Sequence, residues 1–101
     1  MTIDWIKIRE EYPKCFKLLK ESGVYNEHDY YGYINTNDRD LYDFFDNANI
    51  QVWVKPIMEN FSGYVDRMGH HLCIKYIVTN DRVLTETETF YEAFKILENE
   101  L

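Results

Sequence analysis

Glycine, serine and cysteine are all scarce in this chain, and each scarcity removes a class of function. Its four glycines, Gly23, Gly32, Gly63 and Gly69, are isolated from one another, so no glycine-rich phosphate-binding loop can be written. Ser22 and Ser62 are its only serines, and neither stands in the strand–turn–helix context of a hydrolase nucleophile. Two cysteines, Cys15 and Cys73, fall far short of a disulfide framework and read as free thiols. No apolar run approaches the roughly 20 residues that span a bilayer, and the opening "MTIDWIKIREEY" lacks the basic, apolar and small-residue order of a signal peptide, so a cytoplasmic protein without membrane contact is expected.

Positive charge is also short. Against 18 Asp and Glu stand 11 Lys and Arg, a formal net charge of −7. The excess sits in two blocks: residues 25–49 carry −5 and residues 85–101 carry −4, while 1–24 and 50–84 each carry +1. Such a surface repels nucleic-acid phosphates and either favours a basic protein partner or simply keeps the protein soluble. Apolar residues at 46% of 101 residues predict one packed domain over 1–101.

Trp5, Ile8, Tyr12, Phe16 and Leu19 recur at helical spacing, with Pro13 predicting a break near Glu11 and a second helical piece from Pro13 to about Gly23. The stretch "VYNEHDYYGYINTNDRD" has neither period and reads as a long loop. "DRDLYDFFDNAN" reads as a short helix burying Leu41, Phe44 and Phe45 and closed by Asn47 or Asn49. "IQVWVKPI", "FSGYVDRM" and "HLCIKYIVT" predict an antiparallel meander, with Pro56 ending the core of the first strand. Ile50, Val52, Val54, Leu72, Ile74 and Val78 are expected on its inner face, and Trp53, Tyr64, Cys73 and Ile77 on its outer face. Phe90, Phe94, Leu97 and Leu101 mark a closing amphipathic helix, with Thr85 and Glu88 as its capping box. The expected fold is α+β: a broken N-terminal helix, a short second helix, a three-stranded antiparallel β-meander, and a C-terminal helix packed on one sheet face.

The tetrapeptide "TNDR" occurs twice, at Thr36–Arg39 and Thr79–Arg82, with different flanks. It reads as turn and cap chemistry used twice rather than as a repeat.

Chemistry-bearing residues are few. His71 and Cys73 alternate along a strand and could offer two ligands of a metal-dependent enzyme, but two fall short of the four a structural zinc site takes, so no metal or cofactor is expected. Tyr25, Tyr30, Tyr31, Tyr33 and Tyr42 crowd into the most acidic block. Tyrosine contributes contact area and a hydrogen bond at low entropic cost, and surrounding carboxylates select a basic partner; the alternative is that two or three of these rings pin the loop to the core. Tyr30, Tyr31, Tyr33, Asp38, Asp40, Asp43 and Trp53 are therefore the candidate partner-binding residues of a non-enzymatic protein-binding module. A homodimer or assembly subunit joined through the outer sheet face is the alternative.

Two stretches carry a resemblance. "IKIREEYPKCFKLLKE" and "ETFYEAFKILENEL", with "DLYDFFD" between them, resemble segments of small uncharacterised proteins carried by phages and prophages of gut bacteria. The resemblance implies lineage and brings no catalytic residue. Tyr30, Tyr31 and Gly32, followed by Asn35 and then Asp40, Leu41, Tyr42 and Asp43, also resemble the acidic segment of barstar-type ribonuclease inhibitors. Those begin with a strand and build a parallel sheet, whereas this chain is expected to begin with a helix, so we read the likeness as convergence on an acidic, aromatic surface.

Overall fold

The computed structural model describes residues 3–24, 27–28, 33–34, 38–69 and 72–101, with the backbone course alone at 27–28, 33–34 and 72–76. In chain order the elements are α1 (Trp5–Glu11), α2 (Pro13–Glu21), β1 (Glu27–His28), β2 (Tyr33–Ile34), α3 (Asp38–Asn47), β3 (Ile50–Ile57), β4 (Asn60–Arg67), β5 (Leu72–Thr79) and α4 (Arg82–Glu100). The architecture is α+β, with β3, β4 and β5 forming an antiparallel sheet in that spatial order and α4 laid across all three strands. Among the described residues no helix is long and apolar enough to cross a membrane.

The N-terminal helix breaks where proline demands it. α1 ends at Glu11 and Pro13 is the first residue of α2, a position whose N–H has no intrahelical partner in any case. Tyr12 occupies the N-cap of α2 without a side-chain bond to offer. The missing cap comes from the far end of the chain: Glu98 of α4 accepts the Lys14 amide at 3.0 Å and the Cys15 amide at 2.9 Å. A carboxylate on those free N–H groups also meets the positive end of the helix dipole.

One core joins the helices to the inner side of the sheet. Phe45 stands between Phe90 and Phe94 at centroid distances of 5.7 and 5.0 Å, with Ile8, Leu19, Leu41, Ile50 and Val65 fully or almost fully buried around them. Cys15 is buried in the same core and its thiol donates to the Phe94 carbonyl at 3.5 Å. Burial, with Glu98 beside it, pushes that thiol well above its ordinary range, so it behaves as a small core side chain and not as a nucleophile.

α4 approaches β4 closely because Gly63 carries no side chain. A Cβ there would collide with the Thr89 hydroxyl and its Cβ. Thr85 and Thr89, both fully buried, face the sheet at this point, and each returns its hydroxyl to the carbonyl four residues earlier, Asp81 and Thr85 respectively. The helix begins three residues before the expected Thr85 box. Asp81, from the second "TNDR", is the N-cap and accepts the Leu84 amide at 3.1 Å. Thr85 is thus a buried helix residue, because its hydroxyl is held between Thr79 and the Asp81 carbonyl.

β3 spans the expected Ile50–Ile57 and carries Pro56, which an edge strand permits because the missing N–H need not serve a neighbour. Two further expectations are corrected. Within the segment expected to be a loop, Glu27–His28 pairs antiparallel with Tyr33–Ile34, a ladder too short to show alternation in sequence. On β5 the faces of Ile77 and Val78 are exchanged. A bulge between Val65 and Asp66 sets Cys73 opposite Asp66 but Lys75 opposite Val65, so the alternation changes phase. Ile77 then stands opposite Gly63 on the α4 side, and Val78, 46% exposed, lies opposite Ser62 on the outer face.

The Gly63 contact predicts a coupled pair. Gly63→Ala should lower unfolding stability by about 1–3 kcal/mol through overpacking, and Thr89→Ala in the same chain should return part of that loss. A denaturant titration showing additive losses instead would contradict the close approach.

Candidate functional site

α3 exists because Leu41, Phe44 and Phe45 recur on one side of it and bury against α4 and the sheet. Its other side is left to acid. Asp40, Asp43 and Asp46 are exposed, and none makes a side-chain hydrogen bond or ion pair among the described residues. Asp38 and Asp40 lie in the first turn, where the helix dipole favours negative charge.

The helix then reverses into β3 within two residues. The amides of Ala48 and Asn49 bond to Phe45 and Asp46, and Asn49 takes the left-handed conformation at φ 60°. Asparagine tolerates this better than most residues. Arg67 of β4 fixes the turn by donating to the Asn49 carbonyl at 3.1 Å while pairing with Glu100 at 2.7 Å.

This reversal carries the end of α3 past the free edge of β3 and opens a groove of about 330 Å³ lined by Tyr42, Asp46, Gln51, Val52 and Trp53. Trp53 is 36% exposed and stacks on Tyr64 with centroids 5.2 Å apart and planes 13° from parallel. Tyr42 forms the wall toward α4: its ring meets Phe90 edge-on at 4.8 Å and its hydroxyl donates to Glu86 at 3.0 Å. Burial first, and then the Glu86 carboxylate, holds the Tyr42 hydroxyl well above its ordinary pKa of 10.0. Tyr42 therefore stays protonated, a fixed wall rather than a titrating group.

Of the expected partner-binding residues, Asp38, Asp40, Asp43 and Trp53 are all at the surface, and the fold gathers them on α3 and the adjacent strand. Tyr30 and Tyr31 lie outside the described residues, as does the side chain of Tyr33, whose backbone in β2 pairs with His28 of β1. His71 and the side chain of Cys73 are likewise outside them, and among the described residues no group of three or more His, Cys, Asp or Glu could hold a metal ion. Asp46, Tyr42 and Gln51 were not singled out by the sequence as partners of Trp53. The available signal was Asn47 and Asn49 at the end of α3, which announce a tight reversal and bring the helix end beside the start of the strand.

No protein-family model, curated protein or solved structure matches the chain.

Two acids that hold their protons more tightly in the folded chain, the buried Cys15 thiol and the half-buried Tyr42 hydroxyl, make stability fall with alkali. Tyr42 and Cys15 both have raised folded pKa values, so their contribution is complete below the unfolded values of 10.0 and 9.0 and is lost as pH rises beyond them. Unfolding stability should be level from neutral pH to about 9 and then decline, and Tyr42→Phe should make that decline shallower. A Tyr42→Phe profile with the wild-type slope would contradict the assignment.

Proposed function

We propose that the protein is a small acidic, non-enzymatic protein-binding module whose α3 face and neighbouring groove take a basic surface of another protein. The observation that carries this reading is the row Asp40, Asp43 and Asp46, exposed and unengaged among the described residues, ending at an exposed tryptophan. Exposed carboxylates give steering and selectivity, and an aromatic anchor gives area that a charge row alone lacks. Tyr30, Tyr31 and Tyr33 belong to the same acidic block of the sequence. The resemblance to phage and prophage proteins supports a partner in a bacterial host.

The reading is tested with a peptide of mixed Arg and Lys residues titrated at low and high salt. The expected result is salt-sensitive binding that falls about tenfold or more in the Asp40→Asn, Asp43→Asn, Asp46→Asn variant, with unchanged circular dichroism. Binding that survives all three substitutions would remove α3 as the working surface.

A second reading has its own observation. Ile57, Met58, Val78, Val83 and Leu84 are between 40 and 98% exposed, and the pairing of Ile57 with Asn60 and of Phe61 with Thr79 brings them to one end of the sheet, where α4 also starts. Met58 holds φ 53° in the turn there. Such a patch suits self-association, now through the sheet end rather than through Ile77. If it does so, light scattering should give a dimer mass that Met58→Asp with Val83→Asp reduces to a monomer; a monomeric wild type rules it out.

A further inference from the structure

The groove beside α3 has a more specific chemistry than a charged surface, and we infer that it is a receptor for a single arginine side chain of the basic partner. The inference rests on the protein-binding reading above and names what that site selects. Four features combine. The carboxylate of Asp46 stands at the rim with no hydrogen bond or ion pair among the described residues. The Trp53 indole is held by its stack on Tyr64 and is a flat, partly exposed π surface. Val52 and the Tyr42 ring supply an apolar floor and wall. Gln51 adds an amide carbonyl, also without a side-chain hydrogen bond among the described residues.

Arginine matches this set better than lysine does. Its guanidinium is planar, so it can lie against an indole while its N–H fork meets a carboxylate edge-on, and its five donors leave one or more for a side-chain carbonyl. Lysine presents a compact, strongly hydrated ammonium that gains the Coulomb attraction but little of the stacking. The methylene stem of either would run over Val52 and the Tyr42 ring. Tyr42 itself does not compete for the carboxylate, because its hydroxyl is committed to Glu86 on the α4 side.

The surrounding charges agree with this direction. Asp43 lies three residues before Asp46 on the exposed side of α3, so the negative potential is strongest at the α3 end of the groove. Lys55 follows Trp53 by two residues on the same strand face, so the potential falls toward the β3–β4 turn. A guanidinium is therefore drawn to the Asp46 end, with the chain that carries it lying along α3.

The experiment compares capped hexa-arginine and hexa-lysine peptides at equal charge and ionic strength, read by affinity and by the two tryptophan indole N–H signals in a nitrogen–proton correlation spectrum. Trp53 is assigned by the signal that vanishes in Trp53→Phe. The inference expects hexa-arginine to bind about fivefold or more tightly than hexa-lysine, to shift the Trp53 indole and not that of Trp5, and to lose its advantage in Asp46→Asn. Equal binding of both peptides with an unmoved Trp53 signal would overturn the arginine receptor while leaving the acidic surface in place. Binding of neither peptide would overturn both.

Discussion

The close approach of α4 to the sheet at Gly63 and Thr89 is the constraint on which the remaining contacts depend. It lowers the helix far enough for Phe90 and Phe94 to meet Phe45, and it thereby sets the level at which α3 can pack. Every other helix is then tied to α4 by a polar bond in addition to its apolar face. Asp4, which caps α1, sends its own amide to the Tyr91 hydroxyl; α2 takes its cap from Glu98; and α3 is joined through Tyr42 and Glu86. A larger residue at position 63 would lift this helix and loosen all three attachments at once.

The same helix explains an apparent electrostatic fault. α4 has no basic residue in its last turn and carries Glu98 and Glu100 where the helix dipole disfavours negative charge. Both are engaged elsewhere: Glu98 on the free amides of α2, Glu100 on Arg67, which in turn holds the α3–β3 reversal. The two acidic blocks of the sequence, alike in composition, therefore differ in kind. In α4, Glu86, Glu98 and Glu100 stabilise other elements, whereas Asp40, Asp43 and Asp46 of α3 have no such engagement among the described residues. That contrast, more than the total charge, directs attention to α3.

Much of the fold was legible because its signals are local. Pro13 had to break the first helix, the Leu41, Phe44 and Phe45 spacing had to bury one side of α3, and Ile50, Val52 and Val54 had to share a strand face. What escaped was set by tertiary contact. The bulge at Val65 and Asp66 exchanges the faces of Ile77 and Val78, and no residue type near Lys75 announces it. The start of α4 was read at Thr85 since Thr and Glu three apart imitate a capping box, but the Thr79 hydroxyl, reached only after the strand is in place, sides with Asp81. Gly63 reads as a strand kink until the helix above it is known.

The candidate site was half visible for the same reason. Asp40, Asp43 and Trp53 could be named one at a time from charge and exposure, but Asp46 and Trp53, seven residues apart, belong together only if the chain reverses tightly between them. Asn49 in the left-handed region makes that reversal local, and Arg67, fixed by Glu100 from the end of α4, holds it. The groove is thus coupled to the α4–sheet contact through one arginine. The Asn49 carbonyl accepts both the Met68 amide at 2.9 Å and the Arg67 guanidinium at 3.1 Å, so loss of the Arg67–Glu100 pair would loosen one of the two donors that hold the reversal between Asp46 and Trp53. A site built on a helix end and a strand edge keeps its shape through the packing of both, so the interaction surface and the core answer to the same constraint.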